Sequence, residues 1–240
     1  MHIDVEDLRD FYATPLGNVV RRTLARQVRA RWPSVKGQTL VGLGFASPYL
    51  GAFRGEARSV AAFMPSGQGA LVWPSTGRTM SVLIEEARLP LPDNSVDRLL
   101  AVHFLEAAER IRPVLREIWR VLSAEGTLQL IVPNRRGVWA RLDTTPFGSG
   151  RPFSRAQLEA LLKEALLTPV EFAGALHMPP LDRRMLLKSA GAFEKVGRLI
   201  APAFSGVVIV EARKELEAPI GRTAKARSIG EFAAVRGGDR

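Results

Sequence analysis

Thr39-Leu-Val-Gly-Leu-Gly-Phe-Ala-Ser-Pro-Tyr-Leu50 decides the fold of this chain. Its apolar start reads as a buried strand. Gly44, Ala46 and Ser47 then make a small-residue turn, and Pro48 opens a short helix. Open α/β sheets bind nucleotides at such turns, because amide N–H groups and a helix N-terminus point outward from the carboxyl end of a strand.

Working outward, apolar runs alternate with helical patterns. Strands are expected at 40–43, 59–63, 81–84, 97–103 and 127–132. A helix over 106–122 carries Ile111, Val114, Leu115, Ile118 and Leu122 on one face, and 123–126 reads as a turn. Further strands are expected at 169–175 and 207–212, with helices at 154–166 and 182–198 before them. Ahead of the first strand lie two helices, 4–13 and 15–31, the second opened by Pro15 and periodic in Leu16, Val19, Val20, Leu24 and Val28. Strands separated by helices imply crossover connections, hence an α/β, doubly wound, mostly parallel Rossmann-like sheet. The division is an N-terminal helical cap (1–36), the Rossmann-like domain (37–216) and a flexible basic tail (217–240). The long connection 133–153, with three large aromatics and four arginines, reads as an ordered functional loop.

Composition narrows the classes. The chain has 240 residues, 46% of them hydrophobic. No window approaches the roughly 18 apolar residues of a membrane span. The start Met1-His-Ile-Asp-Val-Glu-Asp carries no apolar core of a secretory signal. There is no cysteine, which excludes disulfides, thiolate metal sites and cysteine nucleophiles and fits a cytoplasmic protein. No metal site is expected, since His177 and Asp182 stand isolated. The net charge of +10 is concentrated: residues 15–36 hold Arg21, Arg22, Arg26, Arg29, Arg31 and Lys36 and no acid. That surface suits an anionic partner, nucleic acid included, or is a solvated helix face. No DNA-reading motif accompanies it.

Three segments together resemble the class I S-adenosylmethionine-dependent methyltransferases, type 11 group. They are the glycine turn, then Leu89-Pro-Leu-Pro-Asp-Asn-Ser-Val-Asp97 leading through a strand to His103-Phe-Leu-Glu106, then Leu115-Arg-Glu-Ile-Trp-Arg-Val-Leu-Ser-Ala-Glu-Gly-Thr127 entering the fifth strand. The resemblance runs from about Thr39 to Val132 and implies S-adenosylmethionine as cofactor. It places Gly44, Phe45 and Ala46 against the cofactor, with Gly42 where the family has an acid and Met64 where a second acid grips the ribose. Pro48 stands in place of a third glycine and lacks an amide donor. Gln68 is a candidate substitute contact. Glu85, or Glu86 one residue on, matches the acid that accepts from the adenine amine.

His103, at the end of the fourth strand, lies above the cofactor in this fold and is the candidate catalytic base. Glu106 reads as the start of the next helix, where an acid suits the dipole. Arg135, Arg136 and Arg141 with Trp139 are candidate substrate contacts, since arginine forks hold carboxylates and phosphates. The expected function is methyl transfer from S-adenosylmethionine to a small-molecule acceptor. A non-catalytic binding or regulatory protein on the same fold is the alternative, because the two acids are absent. An RNA-associated methyltransferase is a further one, resting on charge.

Overall fold

The computed structural model describes residues 3–216. The expected tail, 217–240, lies outside the described residues.

Two helices come first, α1 (Val5–Ala13) and α2 (Pro15–Arg31). Thr14 makes the corner between them. Its N–H donates to Phe11 O, ending α1, while its hydroxyl accepts from Gly17 N at 3.0 Å, opening α2 with Pro15 at the first helical position. Both helices share one core with a face of the sheet, through Leu8, Tyr12, Val20, Leu24 and Val28.

The sheet has seven strands: β1 (Thr39–Gly44), β2 (Ser59–Pro65), β3 (Ser81–Ile84), β4 (Val96–Val102), β5 (Leu122–Pro133), β6 (Leu167–Ala175) and β7 (Val207–Lys214). Their order is β3-β2-β1-β4-β5-β7-β6, parallel except that β7 runs antiparallel to both neighbours. The apolar run Val207-Val-Ile-Val210 takes the inner slot, and β6, with Thr168 and Glu171 exposed, is left at the edge. A strand buried on both faces has to be apolar throughout.

Side chains alternate with period two. Leu40, Leu100, Ile131 and Ile209 face α1, α2 and the short α3 (Ser47–Leu50). Val41, Leu43, Leu99, Leu128, Leu130 and Val210 face α4 (Ile111–Val121) and α5 (Arg155–Glu164). Buried Gln129 ties α2 to the sheet, its Nε2 donating to Val28 O at 3.3 Å.

Three expectations need correction. The helix expected from 106 starts only at Ile111, because Pro113 is tolerated in a first turn and not further inside. The turn expected at 123–126 belongs to β5, which begins at Leu122 and shifts register between Val96 and Arg98. The helix expected at 182–198 is two, α6 (Arg184–Lys188) and α7 (Ala190–Ile200). They part at Ser189, whose N–H is shared between Met185 O and Leu186 O, in a stretch where Ser189 and Gly191 are the weaker helix formers.

The fold also explains why two sequence motifs travel together. Arg120 of α4 forks onto Glu117 (2.7 and 2.9 Å) and reaches Leu89 O at 3.1 Å and Leu91 O at 2.9 Å, while Glu117 accepts Leu89 N at 2.7 Å. Asp93 completes the clamp. Arg120 therefore fastens the loop before β4 to the helix after it. Arg120→Ala is expected to cost about 2–4 kcal/mol, since several charge-assisted bonds go and Glu117 loses its cation. Denaturant unfolding should read this, and an unchanged midpoint would refute the clamp.

Candidate functional site

At the carboxyl ends of β1, β2 and β4 the chain turns three times within a small volume. Gly44 has φ of +71°, and a Cβ there would stand 2.5 Å from Val102 O, so the two strand ends approach as closely as backbone allows. Phe45 N donates to Val102 O at 2.8 Å. His103 follows with φ of +49°, a left-handed conformation uncommon for a residue with a side chain. Strain of that kind is kept where surrounding contacts over-determine it.

Here they do. His103 is 1% exposed. Its Nε2 lies 3.1 Å from the Tyr12 hydroxyl, which is 2.9 Å from the Tyr49 hydroxyl. Its Nδ1 lies 3.3 Å from Glu106 Oε1, and its carbonyl accepts from Gln68 Nε2 at 3.1 Å. Burial pushes both phenols well above the usual tyrosine range, so each hydroxyl stays a donor. The consistent proton arrangement has Tyr49 donating to Tyr12, Tyr12 donating to Nε2, and the ring proton on Nδ1 facing the Glu106 carboxyl. The reverse tautomer would set a bare Nδ1 against acceptor oxygens.

These two tyrosines are the chain's only ones, so its alkaline behaviour has a defined source. In the unfolded chain they ionise near pH 10, whereas in the fold they resist it. Their contribution is complete below about pH 10 and is lost as pH rises, by ~1.4 kcal/mol per pH unit for each. Melting temperatures across this range should fall. Tyr12→Phe and Tyr49→Phe should each flatten the slope, and an unaltered slope in the double variant would contradict the burial argument.

Around the polar chain sit rings. Tyr12 lies over Phe45 at 5.4 Å between centroids, and Phe147 over His103 at 4.7 Å. Phe147 comes from the 133–153 connection and packs on Trp139 and on Phe11 of α1. Val5 N donates to Gln68 O at 2.8 Å, so α1 is fastened at both ends over the cleft. Gln68 Oε1 and Glu106 Oε2 are buried with no hydrogen-bond partner among the described residues, and His103 Nδ1 and Glu106 Oε1 have only each other, at 3.3 Å. Such atoms each cost about 1–3 kcal/mol unless water or a ligand serves them.

The residues expected from sequence are partly assembled. Gly44, Phe45, Ala46 and His103 meet in this cluster. Gly42 lies one pleat back in β1, where a Cβ would be 2.7 Å from both Ala46 Cβ and Leu50 Cδ1. Met64 is fully buried in β2 and its sulfur accepts Leu71 N at 3.2 Å. Glu85 is exposed in the turn after β3, and Glu86 Oε2 accepts Glu109 N at 3.3 Å. Trp139 is buried, donating to Met178 O at 2.7 Å, and anchors its loop. Arg136 and Arg141 are exposed.

Arg135 belongs to a different feature, a groove of about 650 Å³ beside the cleft shared with Arg110, Arg151 and Phe153. Arg151 N donates to Glu106 O at 2.9 Å, which sets this groove against the buried cluster. Sequence reasoning missed Tyr12 and Tyr49, and gave Glu106 to a helix. The one available signal was that Tyr49 lies within the decisive stretch.

Residues 44–130 match the family model described as a methyltransferase domain. That match and the fold make the chain similar to S-adenosylmethionine-dependent methyltransferases, whose cofactor is S-adenosylmethionine. Among solved structures it resembles a chain of the complex between the Haloferax volcanii Trm112 methyltransferase activator and a methyltransferase (20% identity, 87% of this chain and 98% of that one, TM-score 0.63). A Thermotoga maritima S-adenosylmethionine-dependent methyltransferase is similar at 16% identity over 88% and 96% of the two chains, TM-score 0.64. So is the Streptomyces coelicolor geranyl diphosphate C-methyltransferase, solved with S-adenosyl-L-homocysteine, at 16% identity over 80% and 76%, TM-score 0.55. No curated protein matches the chain by sequence.

Tested against that cofactor, the cleft as described does not fit. Tyr12, Phe45, Tyr49 and Phe147 pack onto His103 and the glycine turn, where a ligand would lie against the chain. Nor is there room at Gly42 for an acid. Acceptors suited to a cationic group, Glu106 and Gln68, are present but enclosed.

Proposed function

We propose that the chain is an S-adenosylmethionine-dependent methyltransferase acting on a small anionic acceptor, and that α1 has to leave the cleft before cofactor can enter. The observation that carries this reading is the enclosed polar set: His103, Glu106 and Gln68, with unpaired polar atoms, behind a helix at the very start of the described chain. A core built only for stability would fill that place with apolar side chains. The acceptor class follows from the neighbouring groove, where Arg110, Arg135 and Arg151 offer fork-shaped donors to a carboxylate or phosphate. With Tyr12 withdrawn, His103 Nε2 would be free to take a proton from an acceptor, held in that tautomer by Glu106.

A second reading keeps α1 in place permanently and makes the chain a binding or regulatory protein on this fold. The lack of space at Gly42 and the buried Met64 favour it. Nucleic-acid association rests on charge alone. Calorimetric titration of S-adenosylhomocysteine into the full chain and into Tyr12→Ala separates the first two. Weak saturable binding that tightens in the variant supports the gated enzyme, and no binding to either supports the second reading.

A further inference from the structure

Helix α7 has two apolar sides, and only one is used by the core. Ala190 and Phe193 pack inward, and Gly197 lies against His177. On the other side Val196, Leu199 and Ile200 are 52%, 85% and 78% exposed. Their spacing of three and four residues puts them on one stripe of the helix. Met185 of α6 and Phe204 just past α7 are also turned to water, at 79% and 61%. Large apolar side chains gathered like this mark an interaction surface.

The same unit is strongly basic. A groove of about 960 Å³ runs between α2 and the α6–α7 pair, bordered by Arg21, Arg22, Arg26, Lys188, Lys195 and Arg198. Its one carboxylate, Glu194, is engaged by His177, accepting His177 N at 2.7 Å and lying 3.4 Å from His177 Nδ1. Among the described residues none of those six cations forms an ion pair; Arg21 and Arg22 bond to Asn18 instead.

We propose that this face docks on an anionic lipid bilayer, with the Val196–Leu199–Ile200 stripe entering the interface and the bordering arginines and lysines meeting headgroup phosphates. A basic helix with an apolar outer stripe is the pattern of interfacial helices. No helix among the described residues is long and apolar enough to cross a membrane, so the contact is peripheral. Nucleic acid would use the cations but gain nothing from exposed leucine and isoleucine, whose aliphatic chains offer no ring for base stacking. A second copy of the chain would bring like charges face to face. Lipid rewards both features at once, each basic residue near an anionic surface adding to the apolar insertion. The inference does not depend on cofactor use, since it rests on the α7 stripe and the cations beside it and not on the cleft cluster.

The test is co-sedimentation of the full chain with vesicles of phosphatidylcholine, with and without phosphatidylglycerol. Binding is expected only when phosphatidylglycerol is present. The Leu199→Ser/Ile200→Ser pair, which keeps every charge, should weaken it about tenfold or more. The Lys195→Glu/Arg198→Glu pair should weaken it similarly. All four positions are exposed, so unchanged melting curves are expected to accompany the loss. Absence of binding to the anionic vesicles would overturn the proposal. So would binding that the serine pair leaves untouched, which is bare charge attraction. A dimer in light scattering that the serine pair dissolves, or RNA retained in a mobility shift while vesicles are not, would assign the face to those occupants and overturn it equally.

Discussion

Gly42→Asp, the substitution that restores the family's acid at the end of the first strand, is expected to destabilise the protein by about 3–5 kcal/mol and to gain no cofactor affinity. The new Cβ would stand 2.7 Å from Ala46 Cβ and from Leu50 Cδ1, closer than carbon atoms pack, and neither neighbour is free to move. Leu50 and Ala46 are fully buried on the α3 side of β1. Overpacking alone costs about 1–3 kcal/mol, and a carboxylate placed among apolar side chains adds a desolvation penalty. For a domain of this size the melting midpoint should drop by roughly 6–20 °C. Circular dichroism melts of Gly42→Ala and Gly42→Asp would separate crowding from charge. A variant that melts like the parent, or binds S-adenosylhomocysteine more tightly, would mean that α3 yields and that the acid was simply lost.

Tyr12→Ala is expected to act in the opposite direction on binding. The Tyr12 ring covers Phe45, and its hydroxyl holds His103 Nε2 at 3.1 Å and Tyr49 at 2.9 Å. Truncating a buried aromatic removes about 3–5 kcal/mol of contact, here contact that exists only while α1 is docked. If ligand binds only the open form, apparent affinity is the intrinsic affinity multiplied by the open fraction, so weakening the docked state tightens binding. An increase of about 10- to 100-fold for S-adenosylhomocysteine is expected, together with a lower melting temperature. Tyr12→Phe keeps the ring and should give a smaller increase. Equal affinity in all three proteins would show that α1 does not compete with the ligand.

Much of the sheet was readable because its strands are short apolar runs separated by turn residues, and that pattern is local. The first four strands and the N-terminal helices fell within a residue or two of their observed limits. Where expectation failed, a distant partner was responsible. Residues 123–126 look like a turn by composition but fall inside β5, as the irregular stretch between Leu122, paired with Val96, and Thr127, paired with Arg98. Glu106 looks like a helix start, yet Pro113 delays the helix and leaves the carboxyl group beside His103. Trp139 reads as a pocket aromatic until Met178 O, 39 residues further on, takes its indole proton.

By itself the sequence determined that a glycine turn ends the first strand, that the layers alternate strand and helix, and that two acids of the family pattern are missing. Each is a matter of residue type and spacing along the chain. What fills the space left by those acids was a tertiary decision. Tyr12 and Tyr49 are 37 residues apart, and Tyr12 and His103 are 91 apart. Nothing local couples them; they meet because α1 and α2 bury one continuous apolar face against the sheet and carry Tyr12 over the strand ends. The same packing leaves the outer stripe of α7 in water, since a helix can turn only one side to the core.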